Sequence, residues 1–166
     1  MANKKLPKAV RPEEFPLLLK ATRKKDLHAR LSFLLAYGSG LRISEVVAIK
    51  PENVRDKIIE VWEGKGGRDR IVPKPKGWKD SMTKLLPINK GVRSLQRNFK
   101  TASKKAKLNP LYTFHSLRHG FATRLIESGV PISHVQTLMG HSDIATTGIY
   151  LKARPQDALK SYEDLF

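Results

Sequence analysis

Apolar and polar positions along the chain divide it into helical segments around one short stretch of strand. The run from Pro12, PEEFPLLLKATRKK, predicts a first helix, with Glu13 and Glu14 in its opening turn and Arg23, Lys24 and Lys25 in its closing turn, as a helix dipole favours. Asp26 is placed to N-cap a second helix, in which Leu27, Leu31, Leu34 and Leu35 form an apolar stripe before Gly38 and Gly40 end it. A third, short helix begins after Arg42 and stops before Pro51. Period-two, β-branched runs over residues 57–63 and 68–73, separated by Gly64-Lys65-Gly66-Gly67, predict an antiparallel hairpin with Lys65 at its tip. From Pro73 to Pro87 the pattern is irregular, with Trp78, Leu85 and Leu86 as anchors. Residues 91–108 then read as a basic amphipathic helix, with Val92, Leu95, Phe99 and Ala102 inward. The last third is helical with glycine punctuation, and residues 155–166 can form a final helix with Ala158, Leu159, Tyr162 and Leu165 inward. The fold class expected is mainly α with a small antiparallel β-hairpin, an α+β arrangement in one domain.

Charge adds a partner to this outline. The 166 residues carry 32 Lys plus Arg against 15 Asp plus Glu, a formal net charge of +17. Such an excess opposes compaction unless a polyanion offsets it, and nucleic acid is the commonest polyanion. No apolar run reaches the ~20 residues of a membrane span, and no apolar core follows the basic N-terminus as in a secretory signal. The expected location is therefore cytoplasmic. Absence of cysteine removes disulfides, thiolate nucleophiles and Cys-based zinc sites.

Candidate chemistry concentrates in residues 114–151. His115 and Arg118 are three apart on a helix and so share a face, while Phe114, Leu117, Phe121 and Leu125 form the stripe that seats it. His115 and His119 could suggest a metal site. However, no Glu follows His115 as in His-Glu-x-x-His, so no metal is expected and His119 is read as structural. His28 and His134 receive the same structural reading. A tyrosine such as Tyr150 is ordinarily a packed aromatic. It acquires meaning in company, because phosphoryl transfer needs a nucleophile, cations for the non-bridging oxygens and a proton donor for the leaving oxygen. Tyr150, the pair Arg42 and Arg118, and Lys65 offer those parts.

The ordered elements Gly40-Leu-Arg42-Ile-Ser-Glu45, Lys65 in a hairpin, His115-Ser-Leu-Arg118-His, Leu138-Met-Gly-His141-Ser and Thr146-Thr-Gly-Ile-Tyr150 resemble the tyrosine recombinase (phage integrase) family, especially its Xer-like and archaeal members. The resemblance implies a catalytic-domain fold and a metal-free, cofactor-free, ATP-independent DNA strand transferase. Arg42 and Arg118 would bind the scissile phosphate, and Lys65 would protonate the departing 5′ oxygen. His115 would help take the proton from the nucleophile, His141 would hydrogen-bond the phosphate, and Tyr150 would attack to give a 3′-phosphotyrosyl link. Glu45 would orient Arg42. Arg68, Arg70, Arg93, Arg97, Lys100 and Lys104 are the further expected DNA contacts.

Residues 1–11 then read as a basic arm or interdomain linker and 12–166 as the catalytic domain. The family's separate N-terminal core-binding domain has no counterpart here, so an excised catalytic fragment is the favoured reading and a naturally one-domain recombinase the second. The expected partner is double-stranded DNA, engaged by a chain monomeric without DNA and, in the full-length protein, tetrameric on paired sites. It would act at the nucleoid, or in a host cell if virus- or plasmid-encoded. Two alternatives remain at this point: a DNA-binding module without strand exchange, and a type IB topoisomerase-like relaxing enzyme.

Overall fold

The computed structural model describes residues 8–62, 69–140 and 155–166. The elements are α1 (Glu14–Ala21), α2 (Leu27–Ser39), α3 (Ile43–Ala48), a 3-10 turn at Pro51–Asn53, β1 (Ile58–Val61), β2 (Arg70–Pro73), α4 (Asp80–Thr83), α5 (Val92–Lys105), α6 (His115–Glu127), α7 (Ile132–Met139) and α8 (Pro155–Glu163). The mainly helical class with one small antiparallel sheet is the architecture expected from the pattern.

The first helix is shorter than its sequence suggests. It stops at Ala21, where Thr22 turns extended and its hydroxyl donates to the Leu18 carbonyl, so Arg23, Lys24 and Lys25 lie in the following turn. Asp26 caps α2 as expected, its carboxylate accepting from the Ala29 N–H at 3.1 Å. Of the expected leucine stripe on α2, Leu31 and Leu35 are buried and Leu34 packs partly against the core, whereas Leu27 is 49% exposed; Ala29 and every residue from Leu35 to Ser39 are buried as well. This helix is the centre of the domain, packed by α3, α5, α6 and β2. Its small residues let neighbours approach closely: a Cβ on Gly38 would lie 2.7 Å from Pro75, so Gly38 serves packing inside the helix and only Gly40 ends it.

An aromatic cluster joins α2, α5 and the entry to α6. Phe33 meets Phe99 and Phe114 edge-on at 5.8 and 5.9 Å between ring centroids, a favoured arrangement of ring quadrupoles. The strands pair with Ile59 opposite Val72 and Val61 opposite Arg70. In the irregular stretch, Leu86 is buried while Trp78 and Leu85 pack partly against the core. A second cluster, including Phe121, Leu125, Val135, Leu138, Ala158 and Tyr162, seats α7 and α8 on α6. The tail helix thus packs on its own domain, although Leu165, expected inward, is 47% exposed beyond the last turn.

Candidate active site

Three separate elements deliver arginines to one carboxylate. Arg42 is the N-cap of α3, and its backbone N–H donates to Glu45 Oε2 at 2.8 Å while its guanidinium reaches Glu45 Oε1 at 2.9 Å. Arg70, on β2, grips the same carboxylate with two parallel hydrogen bonds, each 2.7 Å, the fork geometry that makes Arg–carboxylate pairs directional. Arg118, one turn into α6, lies 3.9 Å from Glu45 Oε2 and donates to the carbonyls of Gly40 at 2.7 Å and Met139 at 2.6 Å. Arg118 is 3% exposed, whereas the side chain of Arg42 keeps 37% of its surface open. Among these side chains, one buried carboxylate faces three guanidinium groups. Guanidinium groups gathered at one point suit an anionic ligand.

The glycines flanking these residues hold the arrangement in place. Gly40 has φ 71°, and a Cβ there would fall 2.5 Å from the Phe121 ring, so the corner leading to Arg42 can close on α6 only without a side chain. Gly140, at φ 64°, ends α7 where a Cβ would meet Arg70 Cδ at 2.8 Å. Arg70 also donates from Nε to the Leu138 carbonyl at 3.0 Å, and Arg42 reaches the Gly140 carbonyl at 3.5 Å. The end of α7 is thereby bound to the same network.

His115 opens α6, and Leu41 and Ile43, the neighbours of Arg42, line one recess of about 240 Å³ with it. Gln96, Lys100, Thr113 and Phe114 complete the lining. His115 keeps much of its surface open to solvent, yet the protein packed around its ring lowers its pKa, first by desolvation and then through the charges of Arg118 and Arg42. Each cause disfavours the imidazolium. A neutral imidazole at physiological pH can accept a proton. His119 lies behind it with the two rings edge-on at 4.4 Å.

The expected site is therefore brought together at Arg42, Glu45, His115 and Arg118. Lys65, Arg68, His141 and Tyr150 lie outside the described residues. Arg93, Arg97 and Lys104 are exposed on α5. Arg70 is corrected: its side chain is 7% exposed and bonded to Glu45, so it supports the site from within and is no surface DNA contact. The signal was present in the sequence, since Arg70 lies two residues before Val72 and period-two alternation puts both on the buried face. Lys100 is likewise engaged, donating to the carbonyls of Pro110 at 3.2 Å and of Tyr112. Among the described residues no group of three or more His, Cys, Asp or Glu side chains is placed to hold a metal ion, and no helix is long and apolar enough to cross a membrane.

Fold and site together define an integrase-type domain, and residues 8–92 and 87–157 match the phage integrase family, to which the chain belongs. It is similar to tyrosine recombinase XerA of Thermococcus kodakarensis, with 38% identity over 95% of this chain and 62% of the relative. It is also similar to tyrosine recombinase XerD of Staphylococcus epidermidis, with 32% identity over 96% of this chain and 63% of that relative. The chain thus spans a little over three fifths of the length of these curated relatives. Among solved structures, XerA recombinase superposes with a TM-score of 0.70 at 25% identity over 96% of this chain and 65% of that one. The lambda integrase catalytic core shares the fold with a TM-score of 0.64 at 22% identity, covering 81% of this chain and 91% of that core. Each of these relatives is a recombinase or an integrase by name.

Proposed function

We propose that residues 12–166 act as the catalytic domain of a site-specific DNA recombinase, with residues 1–11 as a basic arm or interdomain linker whose last two residues, Val10 and Arg11, already bond to the domain. The observation that carries this reading is the convergence of Arg42 and Arg118 on Glu45, with His115 beside them, its pKa lowered by desolvation first and then by both charges. Guanidinium groups gathered at one point complement a phosphodiester, and complement still better the pentacoordinate transition state, which carries more negative charge.

In this mechanism Tyr150 attacks the scissile phosphorus, and its phenolic proton passes toward His115, which is neutral and able to accept it. The bond to the 5′ oxygen breaks as the tyrosyl bond forms, and Lys65 donates a proton to the departing oxygen. His141 adds a hydrogen bond to the phosphate. One phosphodiester replaces another, so the bond free energy is retained, and a 5′ hydroxyl from a partner strand reverses the step without ATP. The guanidinium groups supply the charge stabilisation that a metal ion provides in other phosphoryl-transfer enzymes. Double-stranded DNA is the substrate. The protein is monomeric without DNA and tetrameric, in its full-length form, on paired sites. Its work is done where that DNA lies, in the cytoplasm at the nucleoid or on an invading viral or plasmid molecule.

The decisive experiment incubates the protein with a nicked suicide duplex carrying its recombination site in EDTA and resolves covalent adducts on a denaturing gel. An adduct is expected with the wild-type chain and none with Tyr150→Phe, which should still bind the duplex. An adduct of equal yield in Tyr150→Phe overturns the nucleophile assignment, and a requirement for added metal overturns the mechanism.

A further inference from the structure

The segment that delivers His115 is held from both sides by side chains that the proposed chemistry does not use. Residues 109–114 form the turn leading into α6, and Phe114 at its end makes no side-chain cap. On one side, Lys100 crosses from α5 to the carbonyls of Pro110 and Tyr112. On the other, the Tyr112 hydroxyl donates to Glu14 Oε2 at 2.8 Å across 98 residues of chain, and the Arg11 N–H donates to the same oxygen at 2.9 Å. The Val10 N–H adds a bond to the Ser116 carbonyl at 3.0 Å. Tyr112, Phe114 and Val10 are buried, whereas His115 itself is exposed. The exposed imidazole thus owes its placement to the backbone beneath it, and that backbone is tied to α5 by Lys100 and to the start of the domain by Glu14.

We propose that Lys100 is a positioning residue for His115, acting by holding the 110–112 carbonyls, and that it is not a DNA-phosphate contact. The inference rests on the proposed recombinase reading for its catalytic consequence but not for its structural one. A lysine whose ammonium is bonded to two carbonyls gives up those bonds if it turns to a phosphate. Its place on the wall of the recess shared with His115 makes its effect local. The groups facing His115 whose influence would change are Arg42, Arg118 and His119, together with Lys100 itself across the recess, whose charge Lys100→Arg retains as the control.

Lys100→Met and Lys100→Arg separate the two roles. For Lys100→Met, suicide-substrate adduct formation at saturating DNA should slow about 10- to 100-fold, the cost of small misplacement of a reacting group. Duplex affinity and its salt dependence should be unchanged, and Lys100→Arg should restore most of the rate. In an NMR titration the His115 midpoint of Lys100→Met should move upward, toward the ordinary histidine value, as the ring leaves its place beside the arginines. A salt-dependence slope smaller by about one, with an unchanged rate at saturating DNA, makes Lys100 a phosphate contact and overturns the proposal. An unchanged His115 midpoint also overturns it. Should the wild type form no adduct, the recombinase reading fails while the midpoint still decides the role of Lys100. Should Lys100→Met melt out, Lys100→Gln, shorter and uncharged, is read in its place, and an unmoved midpoint there is equally fatal.

Discussion

Glu45 is the residue on which the site depends most, because a buried carboxylate serves guanidinium groups from α3, β2 and α6. Glu45→Gln keeps the volume and removes the charge, leaving Arg70 and Arg118 buried without it. A loss of about 3–5 kcal/mol is expected, the range for breaking a buried ion pair from one side, and urea denaturation measures it. His115 gives a second test at this scale. Its pKa is lowered by desolvation first and by Arg118 and Arg42 after that, so Arg42→Gln should raise the midpoint only part of the way toward about 6.5. NMR titration of the imidazole reads this directly. The sign for stability follows: the unfolded chain binds this proton more readily than the folded one, so stability falls as pH drops below about 6.5 and through the depressed folded midpoint.

At the scale of elements, the site depends on corners that tolerate no side chain. Gly40→Ala places a methyl group into Phe121 and asks alanine for φ 71°. A destabilisation of about 2–4 kcal/mol is expected from overpacking and left-handed strain together. The midpoint of chemical denaturation checks it, and the carbonyl that Gly40 offers to Arg118 should shift with it. Much at this scale was legible beforehand. Asp26 announced the cap on α2, the stripe Phe114, Leu117, Phe121 and Leu125 announced the buried face of α6, and Leu95, Phe99 and Ala102 that of α5. What was not legible had a physical cause. Periodicity marks one apolar face, but α2 is buried nearly all round through small residues such as Ala36, Gly38 and Ser39, which a search for large apolar side chains passes over. Arg70 was misread because charge suggests surface, although strand alternation with Val72 put it inside.

For the whole molecule, the relevant quantity is a net charge of +17 and where it stands. Arg93 and Arg97 are exposed on α5, whereas Arg70 and Arg118 are buried within the site. Replacing Arg93 and Arg97 by alanine should therefore weaken duplex binding across sequences and reduce the salt-dependence slope by about two. The unfolding midpoint should stay nearly fixed. Fluorescence anisotropy at stepped salt reads the first outcome and thermal melting the second.

The sequence by itself determined the helical class with one hairpin, the excess of positive charge and the ordered set from Arg42 to Tyr150, because each is written in local spacing or in composition. Only the tertiary structure decided that Glu45 is a shared carboxylate, that Arg70 belongs to it from within, and that Lys100 turns back to the segment carrying His115. Those are contacts between elements far apart in the chain. Their partners are chosen by packing around α2, which no local pattern encodes.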